Sequence, residues 1–142
     1  MKDFMKAIGR YRLILDRNSN EPYLERYYLF LKDRKYFPFN IFLHKFLKND
    51  PDDLHDHPWS YFTLILRGGY WEHTLTGKHW RGPGHCRISS AESYHRIEID
   101  PNVNAWTLFI PGIQKREWGF LVDGITWTDH KTYLDRLAKK YN

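Results

Sequence analysis

Short β-rich apolar runs, broken by Gly, Pro, Asn and Asp at intervals too close for long helices, constrain this chain more than any other feature. Tyr11 to Leu15 is closed by the turn-rich Asp16 to Asn20, and a second run extends from Tyr23 to Lys32. The Tyr, Phe and Leu content of that second run favours strand over helix. Phe39 to Leu47 alternates, placing Phe42, His44 and Phe46 on one face and Ile41, Leu43 and Lys45 on the other. After a turn at Asn49 to Asp53, Ser60 to Tyr70 reads as an apolar strand ending in a Gly68-Gly69 turn, from which Tyr70 to Thr74 returns antiparallel. Thr76 to Lys78 turns the chain again. Further strands are expected at Cys86 to Ile88, Tyr94 to Ile99, Trp106 to Ile110 and Trp118 to Val122, the last two separated by Pro111-Gly112. About nine strands at this spacing indicate an all-β sandwich or barrel. Only the end reads as helix, with Thr128 capping a segment from Asp129 to Tyr141 whose apolar stripe is Tyr133, Leu134 and Leu137.

At 142 residues the chain has the size of one domain, 1–142, and no linker or composition shift divides it. The net charge of +5 comes from Lys and Arg interleaved with acids, which reads as solubility first and a bias towards anions second. No predicted strand combines dense Lys/Arg with alternating aromatics, so the basic balance does not argue for a nucleic-acid partner. Cys86 is the only cysteine, which excludes an intramolecular disulfide and a Cys-rich metal site and fits a reducing, cytoplasmic setting. No apolar run approaches a membrane span or a signal-peptide core, so a soluble intracellular protein is expected.

The chemistry concentrates in Leu54-His55-Asp56-His57-Pro58-Trp59. Two histidines two residues apart put both imidazoles on one side of an extended strand, a geometry suited to a metal. Open metal sites commonly use three protein ligands, and His95 is the third candidate. Alternation from Tyr94 to Asp100 sets His95 on the face of Ile97 and Ile99, where a buried imidazole needs a partner. The bland alternative makes His55 and His57 turn histidines, solvated or bonded to Asp52, Asp53 or Asp56.

The order His-x-His, Gly turn, Gly-Pro-Gly and a later His resembles the cupin superfamily, small barrels built as a double-stranded β-helix or jelly roll. His55, His57 and Gly68 match the first cupin motif, and Gly84 followed eleven residues later by His95 matches the second. The resemblance spans roughly residues 39–122, with N-terminal strands at 11–32 and the C-terminal helix at 129–141 outside that core. It implies a metal held by His55, His57 and His95. The family's glutamate ligand would fall at Tyr61 or Phe62 and is missing. The remaining set looks like that of the cupin thiol dioxygenases, which implies non-haem Fe(II), dioxygen and a small polar or anionic substrate. A redox-neutral isomerase or lyase on a sugar-like acid, using Mn, Ni or Zn, is the second implication, and a non-enzymatic binding module the third. His44 or Glu72 would be available for the vacant ligand position, against plainer roles as a core histidine and a cross-strand partner. Family likeness further implies a homodimer.

Parity assigns the neighbours. Asp56 points away from the imidazoles and would orient a neighbour, while Trp59, Tyr61 and Thr63 share the histidine face and would line the cavity. Tyr61 offers a phenol for proton donation, with barrel filling as its alternative. Arg26 is the candidate anion clamp, joined by His44 and Trp59 as substrate-binding residues. Cys86, in view of the Cys-Tyr crosslink of some thiol dioxygenases, is either that or a small buried hydrophobe.

Overall fold

The computed structural model describes residues 1–16, 19–34, 36–50, 53–100, 102–122 and 125–141. Helix α1 (Lys2–Ala7) precedes strands β1 (Tyr11–Leu15), β2 (Pro22–Tyr28), β3 (Phe42–Phe46), β4 (Leu54–His55), β5 (Trp59–Arg67) and β6 (Tyr70–Thr74). Strands β7 (Gly77–Arg81), β8 (Cys86–Ser89), β9 (Arg96–Glu98), β10 (Ala105–Gln114), β11 (Gly119–Val122) and β12 (Thr126–Asp129) follow, and helix α2 (His130–Tyr141) ends the chain. No helix among the described residues is long and apolar enough to cross a membrane.

One wall is an antiparallel sheet in the order β1-β2-β3-β10-β5-β8. Its register aligns Arg26, His44, Thr107 and Ile65 in one row across four strands, with Tyr28, Phe42, Phe109 and Thr63 in the next. The alternation read in β3 is realised, since Phe42, His44 and Phe46 are buried and Leu43 and Lys45 are less so. The facing wall consists of two smaller sheets, β12-β11-β4 and β7-β6-β9. They meet at a single antiparallel bridge in which His55 and His95 exchange both backbone hydrogen bonds at 2.9 Å. Between the walls lie Leu24, Phe46, Ile65, Tyr70, Ile97, Ile99 and Ala105. Burying a side chain such as Ile65 contributes about 1.5–3 kcal/mol relative to leaving it in water.

Several expected boundaries move, each for a local reason. The run from Tyr23 stops at Tyr28 because Asn40 supplies substitute backbone groups: its Oδ1 accepts from the Leu31 and Ile41 amides and its Nδ2 donates to the Leu31 carbonyl. Pro111 does not separate two strands but lies inside β10. Its position is tolerated because β3 pairing ends at Phe42, so the missing N–H falls where no ladder bond is required. Gly68 and Gly69, at φ +81° and +110°, do not close a hairpin between β5 and β6; they carry the chain from one wall to the other. The cap of α2 is Asp129 rather than Thr128, which pairs with Phe120 in β12; Asp129 Oδ2 accepts from the Thr132 amide at 3.2 Å and hydroxyl at 2.9 Å. Helix α1, which the sequence reading did not anticipate, buries Met5, and its Lys2 pairs with Glu25. The turn expected at Asn49 to Asp53 includes residues 51–52, which lie outside the described residues.

Candidate metal centre

His55, His57 and His95 come together. Their ring centroids form a near-equilateral triangle with sides of 5.0, 4.8 and 4.8 Å, and one nitrogen from each lies within 4.8 Å of the others. The bridge between the two small sheets sets His55 against His95, and the His57 amide is held by the Ala91 carbonyl at 3.0 Å. His95 Nδ1 donates to Glu72 Oε2 at 2.8 Å, which leaves its Nε2 lone pair facing His57 Nε2 at 3.3 Å. Burial lowers the His55 pKa to about 4, with the His95 charge adding to the effect and Asp50 opposing it. Burial, reinforced by His95 and His55, also holds His57 well below the ordinary imidazole value. Both are neutral donors near pH 7.

The donor set fits a divalent cation. Ligand nitrogens about 2.0–2.1 Å from a tetrahedral ion lie a little over 3 Å apart, as the facing Nε2 atoms do. His55 Nδ1 is buried without a hydrogen-bond partner, so a lone-pair acceptor at the cluster would satisfy a group that the protein leaves unsatisfied.

Three carboxylates hold this arrangement. Glu72, on β6, accepts from His95 with one oxygen and from Arg81 Nε and Arg87 at 3.2 and 2.6 Å with the other. Burial alone would raise its pKa, but the His95 bond and charge and the two arginines outweigh it and hold the group at about 2. Asp56, fully buried, points away from the imidazoles and accepts from the Gly119 amide at 2.7 Å, Trp127 Nε1 at 3.1 Å and Arg116 at 2.7 Å. A Cβ at Gly119 would collide with the Thr128 carbonyl, which is why glycine stands at that docking point. Asp50 receives the Tyr23 hydroxyl and the Ile97 amide and lies 3.9 Å from His55 Nδ1.

The histidines open onto a cavity of about 410 Å³ whose wall includes Arg26, His44, Trp59, Tyr61, Thr63 and Phe109. The Tyr61 ring lies 4.4 Å from that of His57, and burial pushes its pKa well above the ordinary phenol value. His44 and Glu72 stand outside the cluster of metal-capable nitrogens, so neither takes the vacant ligand position. His44 bonds to Arg26, and burial followed by the Arg26 charge keeps it neutral. His73, His79 and His130 bond to Glu98, Thr76 and the Trp118 carbonyl respectively, away from the cluster. Cys86 is exposed, contrary to the expectation of a buried hydrophobe. Sequence reasoning missed Asp50, Tyr23, Arg81, Trp118 and Phe120. Of these, Tyr23, Trp118 and Phe120 carried a readable signal, as aromatics in predicted strands.

No protein-family model matches the sequence, and no curated protein matches it. Solved structures do. The polyketide cyclase RemF from Streptomyces resistomycificus superposes with a TM-score of 0.64 at 13% identity, covering 88% of this chain and 87% of that one. Rru_A2000 from Rhodospirillum rubrum, a cupin-2 domain, gives a TM-score of 0.61 at 14% identity over 90% of each chain. The Fe(II) form of HppE gives 0.54 at 12% identity, covering 71% of this chain and 56% of that one. With two facing walls and the three-histidine cluster between them, the architecture is the cupin fold, a β-sandwich jelly roll.

Proposed function

We propose that the chain is a metal-dependent cupin enzyme in which His55, His57 and His95 hold one divalent ion, with ferrous iron and a dioxygenase reaction as the favoured form. The observation that carries this reading is a three-histidine cluster, with His55 Nδ1 buried and unpartnered, facing an aromatic cavity large enough for a small molecule. The ion would supply open coordination positions and Lewis acidity, and as Fe(II) a one-electron centre for dioxygen. A neighbour of the same fold holds Fe(II). The chain's own residues do the rest. Glu72 fixes the His95 proton on Nδ1, Asp56 fixes the loop carrying the histidine pair, and Tyr61 keeps its proton beside the site, where it would serve as a proton donor to substrate.

A redox-neutral lyase or isomerase using Mn, Ni or Zn is the second reading. The buried, protonated Tyr61 favours it, since proton donation is the protein-side requirement of such chemistry, and a cyclase shares the fold.

The test is elemental analysis of protein purified anaerobically without a metal-binding tag, followed by oxygen-uptake assays. Near-stoichiometric iron with substrate-dependent oxygen uptake supports the first reading. Zinc, nickel or manganese with turnover but no oxygen uptake supports the second. His57→Ala and His95→Ala should lose metal equally while His79→Ala retains it; equal retention in all three overturns the ligand assignment.

A further inference from the structure

Arg26 and His44 face one another in register on β2 and β3, on the wall opposite the histidine cluster. Arg26 Nε donates to His44 Nε2 at 3.0 Å, and the guanidinium lies 4.4 Å from the centre of the Phe42 ring. A guanidinium only donates, so His44 Nε2 accepts and the single proton of the neutral imidazole sits on Nδ1. That leaves the Nδ1 proton outside the Arg26 contact. Trp59 Nε1, on the same cavity wall, is buried without a partner.

The charges around the cavity are unequal in their pairing. Asp16 pairs with Lys48 at 2.8 Å, and Asp50 is held by Tyr23 and the Ile97 amide. Among the described residues no carboxylate lies within 4.0 Å of the Arg26 guanidinium, which always carries its charge. The guanidinium meets the Tyr28 side chain, the His44 imidazole and the Phe42 ring but no carboxylate, and a half-buried cation so placed is completed by an anion.

We infer that the cavity takes a monocarboxylate with a flat apolar body, its carboxylate gripped by Arg26 and His44 and its body lying along the aromatic wall towards the three histidines. One guanidinium matches one negative charge, which favours a carboxylate over a doubly charged phosphate. The body follows from the wall. His44 stacks on Phe109 at 5.1 Å, Phe109 meets Tyr61 at 5.2 Å, and Tyr61 meets His57 at 4.4 Å, a continuous run of rings from the clamp to the metal-capable cluster. That the far end of this body is the reacting end rests on the proposed metal-dependent function; the clamp itself does not.

The experiment is calorimetric titration of the full chain, in zinc-loaded and in metal-free form, with cinnamate and 2-naphthoate, their neutral amides, and inorganic phosphate. The expected result is binding of at least one carboxylate at least 10-fold tighter than its amide, with no competition by millimolar phosphate. Arg26→Gln should abolish that acid-over-amide preference, and Arg26→Lys should restore part of it. Should Arg26→Gln fail to fold, the wild-type acid-to-amide ratio decides alone. Equal binding of acid and amide, tighter binding of phosphate, or no binding of either carboxylate at millimolar concentration overturns the inference. A carboxylate preference in a protein that retains no metal upholds the clamp and removes the enzyme reading, so the two fail separately.

Discussion

Glu72→Gln changes one oxygen to an NH2 group at almost constant volume, and the site cannot absorb it. The carboxylate serves two sides at once: His95 Nδ1 at 2.8 Å on one oxygen, and Arg81 and Arg87 at 3.2 and 2.6 Å on the other. A glutamine has one acceptor oxygen. If it faces His95, the NH2 opposes two guanidiniums. If it faces the arginines, the NH2 opposes His95 Nδ1 and drives the imidazole proton to Nε2, the atom that faces His57. Loss of the partner behind a ligating histidine costs about 10–100-fold in metal affinity, which is about 1.4–2.8 kcal/mol. The Arg87 side chain is 36% exposed and turns to water, so that part of the loss falls at the low end of the range for charge-assisted bonds. Chelator-competition titration of zinc into metal-free wild type and variant measures the effect directly. Wild-type affinity, to within twofold, in both Glu72→Gln and Glu72→Ala would refute the argument that this carboxylate sets the His95 tautomer.

Other perturbations separate function from packing. Tyr61→Phe should lower turnover by about 100-fold or more with metal content unchanged if the phenol donates a proton; unchanged turnover assigns it to packing. Asp56→Ala strands the Gly119 amide, Trp127 Nε1 and Arg116 together. A loss of about 3 kcal/mol is expected, seen as a Tm lower by roughly 10 °C, and a drop under 3 °C contradicts it. His44, held well below the ordinary imidazole value by burial and then by Arg26, resists a proton that the unfolded chain accepts near pH 6.5. Its contribution to stability is therefore full above about pH 6.5 and falls with pH below it, by about 1.4 kcal/mol per pH unit. Urea unfolding at pH 7.5 and 5.0 should show a shallower loss for His44→Asn than for wild type; parallel losses would show that His44 does not carry it.

Much of this was legible because period-two alternation is a local property. It put His55 and His57 on one side, set His95 on the face of Ile97, turned Asp56 away, and set Trp59, Tyr61 and Thr63 on the cavity wall. What alternation cannot report is which strands become neighbours. Arg26 could be given no face until β2 was paired with β3, and Glu72 became the partner of His95 only because β6 lies beside β9. Pro111 misled because the rule against proline in strands concerns the missing ladder bond, and β3 had already ended on that side. Thr128 and Asp129 are both good caps and both pair with β11; the Asp129 carboxylate is the one that reaches the Thr132 amide and hydroxyl.

The docking of Asp56 on Gly119 and Trp127 also bears on when the site can exist during synthesis. These partners follow Asp56 by 63 and 71 residues, so the segment bearing His55 and His57 leaves the ribosome long before the groups that lock it. A nascent chain carrying both histidines thus has no finished pocket for an ion. On the proposed ligand set, loading would wait on the closing strands β11 and β12, and conditions that slow their pairing would leave the site unformed.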